Sequence, residues 1–214
     1  MERHGGPTQP HRPTGASLIA LIAIGVTAIG IGTLHVVRTD LDWREAVMST
    51  YANGSAGDMM SIVFYAFGVI ALALAVRLRT AVVRHGITAL FPWLMVLAGL
   101  ASVLAGIFEV DPGTLPSTTA EVIHSSSAIA AFVLLIATMG LFTLATRGDR
   151  RWDRFRLPSA VLSVLAASAA ITTQLVDHTA WTGFAQRVLA GAVLGWFLLV
   201  ALYVRTKRFA GGAS

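Results

Sequence analysis

The chain has 214 residues, 55% of them hydrophobic and only 13% charged, and a mean hydropathy of +0.71. Water-soluble domains carry about 25% charged residues, so there is too little charge to coat a soluble exterior, and the apolar excess must face lipid. The net charge of +5 does not point to nucleic acid, because the basic residues form short clusters between apolar runs with no base-reading face.

The absence of cysteine excludes disulfides, thiolate metal sites and cysteine nucleophiles. Fifteen of the 16 basic residues are arginine, a bias that fits a GC-rich bacterial genome and hence a bacterial plasma membrane.

Residues 1–16, rich in Gly, Pro and polar side chains, predict a disordered tail. A bilayer core of about 30 Å takes ~20 apolar residues per helix. Six uncharged stretches answer to that length: Ser17–Val37, Met59–Val76, Gly86–Phe108, Ser125–Thr146, Leu157–Val176 and Val188–Val204. Each is apolar all round, as a lipid-embedded helix should be. The first follows Arg3 and Arg12 as a secretory signal would. It runs on to His35 without an Ala-x-Ala site, and so reads as a retained helix. Pro92 and Pro158 suit helix starts. Gly191 and Gly195 in the last span make a G-x-x-x-G that permits close helix packing, within the chain or in a dimer. The fold class is therefore all-α, a six-helix transmembrane domain over residues 17–205 with a short tail at 206–214.

Charges sort the loops. The N-terminus, Arg77–His85, Arg147–Arg156 and the C-terminus hold 13 of the 16 basic residues, and the other three loops hold eight of the 11 acids. The two sets alternate around the six spans, so the positive-inside rule predicts both termini in the cytoplasm. The cytoplasmic basic loops would touch anionic lipid.

The opposite face gathers most of the groups capable of acid–base or metal chemistry. His35 closes the first span, and the loop after it carries Tyr51, Asn53 and Asp58. Glu109 and Asp111 follow the third span and His124 opens the fourth. Gln174, Asp177 and His178 end the fifth, and Arg187 precedes the sixth. Ionisable groups beside hydrocarbon are costly and tend to be paired or functional. Glu109, Asp111, His124 and Asp177 are candidate catalytic acids and bases. Tyr51, Asn53, Arg187 and Gln174 are candidate binding groups. His35, His124 and His178 with a carboxylate suit zinc, although no ligand pair shares one helix at metal-binding spacing. The plainer alternative is an ion network of Glu109, Asp177 and Arg187 locking three helices, with His35 and His124 as hydrogen-bonded helix ends.

Two stretches carry a resemblance. In "REAVMSTYANGSAGDMM", Ser49, Tyr51, Ala52, Gly54 and Gly57 lead into the second span. In "LAGIFEVDPGTLPSTTAEVIH", Gly106, Phe108, Asp111 and His124 form a G-x-F…D…H pattern. These resemble the bacterial membrane family called domain of unknown function 998, over nearly all six spans. The family commonly has a proline between Phe108 and Asp111, where this chain has Glu109 and Val110. The resemblance implies a six-helix membrane protein with no established reaction. It extends distantly to the DRAM and Sfk membrane proteins, which implies lipid handling by analogy of fold alone.

Three functions are compatible with these features. One is a lipid- or partner-binding membrane component with a polar pocket at the extracytoplasmic face, beneath the turn-rich segment containing Pro112, Gly113 and Pro116. A second is an intramembrane enzyme, with zinc as its metal, acting on a lipid-soluble substrate. The third is a small transporter, which the uninterrupted apolar cores disfavour.

Overall fold

A computed structural model describes residues 15–82, 84–108, 110–111, 118–175 and 181–206. In it, six helices are long and apolar enough to cross a membrane: α1 (Gly15–Val37), α2 (Gly57–Ala81), α3 (Phe91–Ile107), α4 (Thr119–Ala145), α5 (Asp153–Leu175) and α6 (Thr182–Thr206). Among the described residues there is no strand. In lipid every backbone polar group must be satisfied within the segment, and helices of apolar side chains do that. The protein is an all-α, multi-pass membrane bundle.

Several helices overrun the uncharged stretches. α2 continues through Arg77 and Arg79 to Ala81, and α4 starts at Thr119. In α2 the charges are accommodated at the helix end, where Arg77 donates to the Val204 carbonyl of α6 (3.2 Å) and Arg79 is exposed. His124 thus lies in the second turn of α4 instead of at its start. Pro158 also stands inside α5, more than a turn beyond its first residue.

Consecutive helices are neighbours from α1 to α4, α5 pairs with α6, and α6 returns to α1, closing a ring whose middle is crossed by α2 against α6. The α4–α5 seam is the sparsest between consecutive helices. Lipid-facing positions are large and apolar, such as Ile29, Leu157 and Val164. Interior positions are often small, and that lets backbones approach. One close approach is α2 against α3, where a Cβ added at Gly99 would sit 3.0 Å from the Gly68 carbonyl oxygen. Ser102 donates to the Phe64 carbonyl (2.9 Å) and Tyr65 to the Gly106 carbonyl (2.9 Å), stitching the same pair.

At the end of the bundle carrying the α4–α5 turn, Phe142 is ringed edge-on by Phe91, Trp152, Phe155 and Trp196. A hydrogen-bonded chain runs through this layer. Buried Trp196 donates through Nε1 to Ser159 Oγ (2.8 Å), which lies 2.8 Å from Thr143 Oγ1. Thr143 spends its proton on the Met139 carbonyl, so Ser159 is the donor to Thr143 and the chain joins α6, α5 and α4. Trp196→Phe is expected to lower stability in detergent by about 1 kcal/mol, the net worth of one buried hydrogen bond. Thermal unfolding followed by circular dichroism checks this, and an unchanged melt would deny the chain its role.

Candidate functional site

The opposite end of the bundle is capped by the α1–α2 connection, which carries a short 3-10 helix at Met48–Ala52. Two arginines hold this cap down. Arg38, 6% exposed, lays a bidentate fork on Asp40 (2.8 Å for both contacts) and donates through NH1 to the carbonyls of Tyr51 (3.0 Å) and Asn53. The Arg38 guanidinium holds the Asp40 carboxyl below its usual range. Arg44 does the same to exposed Asp42, holding it at about 2.

Arg187, from the first turns of α6, donates through Nε to His35 Nε2 (2.7 Å) and through NH2 to the Tyr51 hydroxyl (2.7 Å). Its NH1 bonds the carbonyls of Ala46 (2.8 Å) and Gly183 (2.9 Å). His35 Nδ1 lies 2.8 Å from the Ile31 carbonyl oxygen. A carbonyl only accepts and a guanidinium only donates. His35 is therefore the neutral Nδ1–H tautomer with both nitrogens in use, and no lone pair remains for a metal. Tyr51 is 1% exposed. This cluster ties α1, the cap and α6 together, and its chemistry is that of a fastening.

Asp111 is equally occupied. Its carboxylate accepts from the Thr118 amide (2.7 Å) and hydroxyl (2.9 Å), its amide donates to Glu121 (2.7 Å), and its carbonyl accepts from Asn53 Nδ2 (2.9 Å). Thr118 in turn caps α4 by accepting from the Glu121 amide. Asp111 thus pins the start of α4 instead of presenting a free carboxylate. Glu109, Asp177 and His178 lie outside the described residues, as do Pro112, Gly113 and Pro116. Among the described residues no three His, Asp or Glu side chains gather to hold a metal ion. Gln174 is apart from the rest, on a groove of about 160 Å³ beside Thr173 and Gln186.

His124 is different. It is 2% exposed, stands edge-on to Phe64, and its Nδ1 lies 2.7 Å from the Ala105 carbonyl oxygen and 3.3 Å from that of Phe108. Both are acceptors at the end of α3, so Nδ1 carries the proton. Nε2 keeps its lone pair, is buried, and has no hydrogen-bond partner. Leaving a buried polar atom unsatisfied costs about 1–3 kcal/mol.

The imidazole lines an open cleft of about 740 Å³ between the cap, α2, α3 and α4, together with Asn53, Asp58, Ser61, Ile62 and Tyr65. Asp58, Ser61 and Tyr65 come from successive turns of α2, and that polar stripe in an otherwise apolar helix is the signal by which the sequence marks the cleft. Below the cleft, an apolar groove of about 300 Å³ runs between α1 and α2, lined by Ile19, Ile22, Val26, Ala66 and Val69. Cleft and groove share Ile62 and Tyr65 as a common wall.

Gly191 and Gly195 do not make a close contact within the chain. A Cβ at Gly191 would meet nothing within 4 Å, and one at Gly195 would meet only Leu162, at 3.8 Å.

Residues of the two motif stretches have identifiable work here. Tyr51 holds Arg187, and a Cβ at Gly57 would strike the Ala52 carbonyl. Gly54 takes φ +96° against the Arg38 guanidinium, a backbone conformation that suits glycine. Gly106 gives way to the Tyr65 ring, and Asp111 and His124 hold the α3 and α4 ends. No curated protein and no solved structure matches the chain. The family model described as "Protein of unknown function (DUF998)" does match it, over residues 21–203, which takes in all but the edges of the six-helix bundle, and the chain belongs to that family.

Proposed function

We propose that this protein is a lipid-binding membrane component. One lipid sits with its head in the His124 cleft and a chain in the α1–α2 groove. The observation that carries the reading is the shared Ile62–Tyr65 wall, which borders both a polar cleft and an apolar groove, the two surroundings that one amphipathic molecule requires. The basic loops at the other end face the cytoplasm under the positive-inside rule, and the cleft then opens to the outer leaflet.

The test is phospholipid retained through stringent detergent exchange, quantified by mass spectrometry. Ile22 and Val69 line the groove and are 60% and 40% exposed, so tryptophans there fill it without entering the core. The pair Ile22→Trp with Val69→Trp is expected to lower retained lipid about tenfold, equivalent to ~1.4 kcal/mol of lost contact. Val164→Trp on the outer face of α5 should leave it unchanged. Equal retention in all three proteins would refute the groove as a chain site.

A further inference from the structure

The side chains lining the cleft also bear on the kind of head it takes, if the lipid reading holds. Acceptors predominate among their free valences. His124 Nε2 is a buried lone pair. Asn53 spends one amide N–H on the Asp111 carbonyl, leaving its oxygen and its second N–H. Tyr65 spends its proton on the Gly106 carbonyl, leaving oxygen lone pairs. Ser61 can accept or donate. Asp58 is an exposed carboxylate with no salt bridge among the described residues. No lysine or arginine lines the cleft among those residues. The guanidinium of Arg38, against the cleft residue Gly54, is already committed to Asp40 and two carbonyls.

Such a surface, with a carboxylate and an unpartnered imidazole nitrogen, is completed by a positive donor. A primary ammonium carries one positive charge and three N–H donors. It matches both the Asp58 carboxylate and the His124 lone pair, and charge-assisted hydrogen bonds are roughly twice as strong as neutral ones. A quaternary ammonium has the charge but no donor. A glycerol head has donors but no charge.

The geometry points to a lipid whose head ends in a primary ammonium, its N–H groups directed to His124 Nε2 and Asp58 and its chain in the groove beside Ile22 and Val69. The lipid source is favoured over a soluble amine because cleft and groove share one wall.

The experiment is native mass spectrometry of the delipidated full-length protein in detergent. It is titrated with phosphatidylethanolamine, phosphatidylcholine and phosphatidylglycerol of identical chains. The phosphodiester is common to all three, so the comparison isolates the terminal group. Phosphatidylethanolamine is expected to bind about tenfold more tightly than either of the others. Asp58→Asn, an exposed change that conserves shape, should remove most of that preference by weakening phosphatidylethanolamine binding more than phosphatidylcholine binding.

Equal binding of the three lipids, or preference for phosphatidylglycerol, would overturn the ammonium assignment while leaving the lipid reading intact. Binding of none would overturn the lipid reading itself. Competition by free ethanolamine at the lipid's own concentration would overturn the lipid as source.

Discussion

Arg187→Ala is expected to destabilise the folded protein by about 2–5 kcal/mol, the range for removing one partner from a semi-buried, fully hydrogen-bonded charged group. The alanine would delete four hydrogen bonds at once. It would leave His35 Nε2 and the Tyr51 hydroxyl, both beside the bundle core, without the donor they face. Lysine would not restore the arrangement, since a single ammonium cannot reproduce a planar fork that reaches an imidazole, a phenol and two carbonyls. The matched control is Arg44→Ala. Arg44 is exposed and its side chain bonds to Asp42 within the same turn, and exposed pairs contribute little. Thermal unfolding in detergent should separate the two variants clearly. Equal melting of Arg187→Ala and Arg44→Ala would mean that the cluster fastens nothing.

Gly99→Leu should be at least as damaging. The first carbon of the new side chain would already stand 3.0 Å from the Gly68 carbonyl and 3.0 Å from Leu72 Cγ, leaving no room for the rest. Overpacking costs about 1–3 kcal/mol where the surroundings can yield. A helix backbone yields less than a side chain, so the expected loss lies at or beyond the top of that range. The helix pair it separates also carries the Ser102 and Tyr65 bonds, so the cleft wall should loosen with it. Gly25→Leu serves as the control, since a Cβ there meets nothing within 4 Å. Fluorescence-detected size-exclusion chromatography after heating reports both, and a Gly99→Leu protein as heat-resistant as the Gly25→Leu protein would contradict the close crossing.

All six spans were legible because lipid imposes a one-dimensional rule: about 20 residues without charge. Their ends were less so. Arg77 and Arg79 belong to α2, although the uncharged stretch stops at Val76, because Arg77 finds the Val204 carbonyl of α6 and Arg79 an exposed position. The close crossing was missed for a different reason. Gly68 and Gly99 sit on separate helices and share no spacing, whereas Gly191 and Gly195 share a motif but make no close contact within the chain.

The site was partly legible. His35, Tyr51, Asn53, Asp111, His124 and Arg187 do gather at one end of the bundle, as residues terminating different helices must. Their division of labour was not. Whether an imidazole is a fastening or an open acceptor depends on what its two nitrogens face. His35 meets Ile31 and Arg187, while His124 meets α3 carbonyls on one nitrogen only. Those neighbours lie 4 to 152 positions away along the chain, beyond what spacing can convey.

The ring closes between its first helix and its last, and that has a consequence for how the protein is made. A chain emerges from the ribosome N-terminus first, so α1 to α4 can pack in order against neighbours already present. The Arg187 fastening cannot form until α6 arrives, because it joins residues 35, 46, 51, 183 and 187. Until then His35 and Tyr51 stand uncovered at the membrane surface. A chain truncated before α6 would leave the His35 and Tyr51 side chains without the donor that they face in the full bundle.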